Sequence, residues 1–215
     1  MTQILRVSMR PLSPCFLVIL VLVAVSSVEA RAQDESFEPA VLDSLYQAGL
    51  PFGTFLDQAE RRVERWQNNA AADSLSSDLQ ERIEALSGTW HLLAVAIDGC
   101  SDSVSTIPYL SHMTAATDHI DMRIILPEAG RFIMEARRTP DGRAATPTVL
   151  VLDEQFREVG VFIERPAALQ EWALGEGADL SSRDFGRQKF AWYDADAGRQ
   201  TVEAILDILE LASGR

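Results

Sequence analysis

The sequence predicts an α/β protein, in which a three-layer domain with a mixed central sheet follows an N-terminal helical extension. From Trp90 onward, apolar runs and amphipathic stretches follow the order strand, helix, strand, helix, strand, strand, helix. The opening strand–helix–strand unit implies a parallel pair with a right-handed crossover. The last two strands are joined only by "EQFR", which is typical of an antiparallel hairpin. Parallel and antiparallel pairs together make the sheet mixed, with helices on both faces.

Each element of this domain follows from its residue pattern. "HLLAVAID" (91–98) is a nearly continuous apolar run, as expected of a strand buried on both faces. "IDMRIIL" (120–126) alternates between apolar and polar residues, which favours a strand with one buried face. The remaining elements are helices at 101–116 and 128–138, hairpin strands at 147–153 and 158–165, a helix at 166–174, a polar connection at 175–197 and an amphipathic helix at 199–213.

The segment before this domain predicts three helices. The first covers 37–49 and is ended by Gly49 and Pro51. In the second, over 56–70, apolar residues recur at spacings of three and four, which places them on one helix face. The third covers 75–86 and has a similar face. No chemistry is evident here, so we interpret 33–87 as an extension that docks on the domain at 88–215.

The N-terminus has the three parts of a secretory signal peptide. Arg6 and Arg10 precede the apolar run "CFLVILVLVAV", and small residues follow at Ala30 and Ala32. We expect cleavage after Ala32, which makes residues 1–32 the signal peptide and the protein periplasmic or extracellular. The alternative is an uncleaved membrane anchor, although the run is short for a span of about 20 residues.

The net charge of the chain argues against some classes of binding partner. The formal net charge is −13 at pH 7, which argues against nucleic acid and against an anionic membrane surface as partners of the mature domain. The sequence predicts no cofactor and no metal ion. His112 and His119 lie near Cys100 in the sequence, but their spacing matches no metal-binding pattern.

Cys100 is the candidate reactive group. Signal cleavage removes Cys15, which leaves one cysteine in the mature chain. Such a thiol pairs with another molecule, packs inertly in the core, or stays reactive. Cys100 falls where a buried strand gives way to a helix, and a helix N-terminus stabilises a thiolate. Asp102 opposes that charge, while the hydroxyl of Ser103, one turn on, is expected to donate a hydrogen bond to the thiolate.

Residues 90–165, together with the final helix, resemble the thioredoxin superfamily. "GCSDSVSTIPYL" is similar to its active-site segment, with Cys100 opening a helix and Pro108 kinking it. "AATPTVLVLDEQFREVG" is similar to its cis-proline loop and hairpin. "CSDS", "IPYL" and "ERP" together resemble a branch of thioredoxin-like proteins that often reads Trp-Cys-x-Asp. The resemblance implies that Pro147 is cis beside the thiol and that Thr146 pairs with a bound substrate strand. The alternative is an ordinary trans proline that begins a strand.

Two residues depart from the family pattern. Gly99 stands in place of the usual tryptophan, and Ser103 in place of the second, resolving cysteine. A dithiol reductase releases its substrate with the second thiol, so this chain is not expected to complete that cycle alone.

We therefore predict a monothiol (Cys-x-x-Ser) redox site that carries out thiol–disulfide exchange or isomerisation, or that captures clients as mixed disulfides. Cys100 is the nucleophile, Ser103 the hydrogen-bond donor, Asp102 the residue that tunes electrostatics or proton transfer, and Thr146 with Pro147 the substrate-docking loop. The partners are thiol- or disulfide-containing client proteins or small thiols. Oxidation of the thiol to sulfenic acid is a further possibility. The alternative function is a degenerate thioredoxin-fold module that only binds.

The sequence predicts no catalytic role for the end of the hairpin. Glu164 and Arg165 precede Pro166 and are expected to form a solvated edge, or else to line the rim of the site.

Overall fold

The computed structural model describes residues 36–72 and 75–214. The predicted signal peptide (1–32) lies outside these residues. Within them, no helix has the length and apolar character needed to cross a membrane.

Within the described residues, four helices precede the first strand of the sheet. They are α1 (Pro39–Ala48), α2 (Phe52–Asp57), α3 (Val63–Ala70) and α4 (Ser77–Glu84). The other elements follow in the order β1 (Trp90–Val95), α5 (Ser103–Ala115), β2 (Ile120–Ile125), α6 (Pro127–Ala136), β3 (Thr148–Leu152), β4 (Glu158–Ile163), α7 (Ala167–Leu174), a 3₁₀ turn (Glu176–Asp179), α8 (Ser182–Asp196) and α9 (Arg199–Ala212).

The four strands form one mixed sheet in the order β2-β1-β3-β4. β1 pairs in parallel with β2, from Trp90 opposite Ile120 to Val95 opposite Ile125. β1 is antiparallel to β3, and β3 is antiparallel to β4. The α/β fold with a mixed sheet is therefore confirmed.

Alternate residues of the strands enter two different cores, which makes the domain three-layered. Leu92 and Ala94 of β1 face a core with helices α2 to α5 and α9. Leu93 and Val95 face the opposite core, with α1 and α6. This period of two explains why β1 is apolar except for His91: both of its faces are largely buried.

Two predicted elements differ in the structure. The single helix expected at 56–70 is two helices, α2 and α3, because Arg62 between them adopts a left-handed conformation with φ of 54°. The polar connection expected at 175–197 is largely helical, since α8 covers 15 of its residues. Its N-terminus is capped by Ser181, whose Oγ accepts a hydrogen bond from the Asp184 backbone N–H at 3.2 Å.

Candidate functional site

Cys100 lies in the short turn between β1 and α5. Its backbone N–H donates to the Ile97 carbonyl at 3.1 Å, and its carbonyl accepts from the Val104 N–H at 3.2 Å, which begins the helix. The residue is partly exposed, and it is the one free cysteine in the described part of the chain. The sulfur is therefore presented at the carboxyl end of a central strand, where reactive groups of open α/β sheets commonly lie.

The Cys100 sulfur contacts the loop before β3. The thiol Sγ donates to the carbonyl oxygen of Thr146 at 3.1 Å. The Thr146–Pro147 peptide bond is cis. The Pro147 carbonyl accepts from the Glu164 N–H at 2.7 Å, and Thr148 Oγ1 donates to the Ala145 carbonyl at 2.8 Å. These bonds fix the loop, so the structure brings Cys100, Thr146 and Pro147 together.

Ser103 takes part through its backbone and not through its hydroxyl. The Ser103 N–H points to Cys100 Sγ at 3.4 Å. The side-chain Oγ is fully buried and has no hydrogen-bond partner. The expected hydrogen bond from the Ser103 hydroxyl to the sulfur is therefore absent from this structure, because the free N–H groups of the first helical turn, and not the side chain, point toward the preceding residues.

Asp102 is buried in an ionic network. Its side chain is only 6% exposed, and its Oδ2 accepts from Lys189 Nζ at 2.6 Å. Tyr193 donates its hydroxyl to Asp102 Oδ1 at 2.9 Å. Burial first, and then the negative charge of Asp102, raise the pKa of Tyr193 far above its ordinary value, so the phenol remains a donor. The carboxylate is thus held by partners on α8, and no hydrogen bond joins it to Cys100 in the residues described.

The ionic network continues to the end of the hairpin. Arg165 Nε lies 3.6 Å from Asp102 Oδ1, and Arg165 Nη2 lies 2.6 Å from Glu164 Oε1. Glu164 also binds Arg143, whose Nη2 lies 2.9 Å from Oε2. Glu164 and Arg165 are both buried, so the predicted solvated edge is wrong. Glu164 and Arg165, which follow the second strand of the hairpin, instead connect the cis-proline loop to the start of α5.

Helix α3 and the turn before it hold the other side of the active-site loop. Trp66 Nε1 donates to the Asp98 carbonyl at 3.0 Å, and Arg62 Nε donates to the Gly99 carbonyl at 2.8 Å. Asn69 Nδ2 donates to the Val104 carbonyl at 2.8 Å. That carbonyl needs an external donor because Pro108, four residues on, has no N–H. The N-terminal helices are therefore part of the support of the site.

The sequence reasoning missed Lys189, Tyr193 and Arg61. Lys189 and Tyr193 lie on α8, whose buried face includes a lysine and so has no clear apolar stripe. Two signals were available: Ser181 followed by Asp184 is a helix-capping pattern, and Lys189 is the only lysine of the chain. Arg61 lies against Gly99 in space, and no local pattern connects these two residues.

A small cleft adjoins the residues before Cys100. It has a volume of about 260 Å³, and its walls include Leu50, Phe55, Leu126 and Ile97. Across the described ranges, no three His, Cys, Asp or Glu side chains are grouped as metal ligands. The arrangement offers one accessible sulfur beside a fixed carbonyl, which suits reaction with an extended sulfur-containing substrate.

Residues 49–182 match the family model described as Thioredoxin. The chain belongs to the thioredoxin family. The match begins inside the N-terminal helical segment and includes the Cys100 turn, the Thr146–Pro147 loop and the hairpin. Membership of the thioredoxin family indicates a redox or thiol-related role.

Two solved structures resemble this thioredoxin-family protein. A protein of unknown function from Pseudomonas aeruginosa is 26% identical with a TM-score of 0.63, and the alignment covers 78% of this chain and 96% of that one. An HIV epitope-scaffold is 24% identical with a TM-score of 0.60 and has the same coverage, 78% and 96%. The scaffold supports the fold alone. No curated protein matches the sequence.

Proposed function

We propose that this chain is an exported thioredoxin-family protein whose Cys100 carries out monothiol thiol–disulfide exchange. The observation that carries the proposal is the position of the Cys100 sulfur, partly exposed and 3.1 Å from the Thr146 carbonyl. A substrate strand that pairs with the backbone at Thr146 brings its own sulfur to the same place.

The reaction proceeds by displacement at sulfur. The Cys100 thiolate attacks one sulfur of a substrate disulfide; a Cys100–substrate disulfide forms, and the other substrate sulfur leaves as a thiolate. The thiol proton, which the Thr146 carbonyl accepts as a hydrogen bond in the resting state, is released to solvent before the attack, and the leaving thiolate takes up a proton from solvent. Because Ser103 replaces the second thiol, an external thiol or another cysteine of the client completes the exchange. Isomerisation and mixed-disulfide capture of a client both follow from this chemistry.

The direct test is capture of the mixed disulfide. The purified protein is mixed with a small symmetrical disulfide and analysed by intact-mass spectrometry after acid quenching. We expect one adduct on the wild type and none on Cys100→Ser. A folded wild-type protein that forms no adduct would instead favour the alternative, a thioredoxin-fold module that only binds.

Restoring a second thiol tests the assignment of Ser103. Ser103→Cys should accelerate the reduction of insulin by dithiothreitol, because a second thiol one helical turn after Cys100 can attack the mixed disulfide and expel the substrate. Ser105→Cys is the matched control, since Ser105 is also buried but lies two residues further along α5. Equal rates for the two variants, or no gain for Ser103→Cys, would contradict the proposed role of this position.

Export is a separate part of the proposal and has its own test. The protein is expressed with its native N-terminus, and its mature form is sequenced from the culture medium or the periplasm. We expect Gln33 as the first residue. A full-length chain recovered from the membrane fraction would support the uncleaved anchor.

A further inference from the structure

Arg61 is fixed at the rim of the Cys100 site by its own backbone. The turn between α2 and α3 passes the loop that precedes Cys100. Asp98 Oδ2 accepts two main-chain hydrogen bonds there, from Glu60 N–H at 2.9 Å and from Arg61 N–H at 2.8 Å. These bonds anchor the Arg61 main chain to the active-site loop, so the side chain starts from a defined position.

The Arg61 guanidinium lies against Gly99, the residue next to Cys100. A Cβ atom at position 99 would lie 2.7 Å from Arg61 Nη1 and 2.8 Å from its Cζ. Any other residue at this position would displace the guanidinium. The glycine that departs from the thioredoxin pattern therefore makes room for a cation beside the residue that precedes Cys100.

In the described part of the chain, Arg61 differs from Arg62 and Arg65 because its guanidinium forms no hydrogen bond or ion pair. Arg62 donates to the Gly99 carbonyl, and Arg65 forms an ion pair with Asp194. Among the residues that the structure describes, no acceptor forms a hydrogen bond or ion pair with the Arg61 guanidinium, and the residue is exposed. The Asp98 carboxylate interacts electrostatically with Arg61, but within the described residues it forms no ion pair with the guanidinium, and its Oδ2 accepts two backbone N–H groups.

We propose that Arg61 is a substrate-binding residue that selects disulfides with a carboxylate close to the reacting sulfur. This inference rests on the proposed thiol–disulfide exchange at Cys100. The planar guanidinium presents paired N–H donors that fit a carboxylate. The net charge of −13 repels anionic substrates in general, so a local cation at the site decides whether they are accepted.

The chemical step is unchanged by this selection. The Cys100 thiolate forms a bond to one sulfur of the anionic disulfide, and the second sulfur departs as a carboxylate-bearing thiolate. Arg61 binds the carboxylate of the half that stays attached. No external oxidant is required, because the substrate disulfide is the oxidant of the step.

The test compares two small disulfides of similar size. 3,3′-Dithiodipropionate carries carboxylates, and bis(2-hydroxyethyl) disulfide is neutral. The rate constant for adduct formation on Cys100 is measured for each by intact-mass spectrometry, and their ratio cancels any change in the reactivity of the thiolate itself. Arg61→Gln should lower the anionic-to-neutral ratio about two- to fivefold, as expected for an exposed ion pair. Arg61→Lys should restore part of it.

Arg157→Gln is the matched control, because it removes one positive charge at the exposed β3–β4 turn. It should leave the ratio at the wild-type value, and high salt should reduce the effect of Arg61→Gln. A second arm uses two cystine peptides with Glu or Gln beside the cysteine. The same loss in both arms supports recognition of the carboxylate itself, and a loss in one arm assigns the source as a small thiol or a protein segment.

An unchanged ratio in both arms for Arg61→Gln, with the neutral disulfide still reacting at Cys100, overturns the inference and leaves the proposed function intact. Absence of any adduct on Cys100 overturns the proposed function and this inference with it.

Discussion

Cys100 and Asp102 are two residues apart and lie in opposite environments. Cys100 is partly exposed, and its sulfur has two polar contacts, with Thr146 and with the Ser103 N–H. Asp102 is buried and is held by Lys189, Tyr193 and Arg165. Residues two apart in a helical turn point about 200° away from each other, which explains the separation. The turn therefore carries reactivity on one side and structural support on the other.

Substitutions at Cys100 and at the partners of Asp102 are therefore expected to have opposite effects on reactivity and on stability. Substituting Cys100 should remove the reaction with disulfides and change the stability little. Disturbing the partners of Asp102 should lower the stability first. Three stability measurements follow in order of decreasing expected effect, and the first tests this separation directly.

The largest effect is expected from Lys189→Met. This change leaves a buried carboxylate without its closest cation, which typically lowers the free energy of unfolding by about 3–5 kcal/mol. Urea denaturation measures it. The double variant Asp102→Asn/Lys189→Met should be considerably more stable than Lys189→Met alone, since the unpaired charge is gone.

Arg187→Met is the control. It removes an exposed cation on the same helix and should lower the free energy of unfolding by less than about 0.5 kcal/mol. Equal losses for Lys189→Met and Arg187→Met would contradict the role of the buried pair.

A smaller effect is expected from Asn69→Ala. The Val104 carbonyl then loses its side-chain donor, and Pro108 cannot supply a main-chain one. An unsatisfied buried carbonyl costs about 1–3 kcal/mol, measurable in the same denaturation experiment. Asn68→Ala, at an exposed position of the same helix, is the control. If the two variants are equally stable, helix α3 does not support the active-site helix through this bond.

The smallest effect concerns pH and His91 in β1. Burial is the main cause that lowers the pKa of His91 below its ordinary value of 6.5, and the ring stacks on Phe156 at 4.5 Å. The unfolded chain therefore takes up a proton first as the pH falls below 6.5, and the free energy of unfolding decreases with it. Above that pH both states are neutral and His91 contributes no pH dependence.

His91→Gln should remove this part of the decrease between pH 7 and pH 5 while leaving the pH profile of Cys100 alkylation unchanged. Thermal denaturation across this range measures the first quantity, and alkylation by iodoacetamide measures the second. A shift of the alkylation profile in this variant would show that the two regions are coupled.

Local patterns were sufficient for the strands of the sheet and for the position of Cys100 between β1 and α5. The apolar run before Cys100 predicted β1, and "EQFR" predicted the hairpin, because strand and turn signals lie within a few neighbouring residues. The position of Thr146–Pro147 beside Cys100 followed from a family resemblance and not from spacing. Helix α8 was missed, since a buried lysine on its inner face removes the apolar periodicity on which the prediction depends.

The sequence by itself determined the α/β class, the parallel and antiparallel strand pairs, and the place of a single thiol at the end of the first strand. The tertiary structure decided which charges are buried and which remain available. Asp102 and Lys189 are 87 residues apart and Arg61 meets Gly99 from a separate helical segment, so neither contact leaves a local signal. Charge pairing depends on the folded distances between side chains, whereas strand and helix formation depends largely on neighbours in the chain.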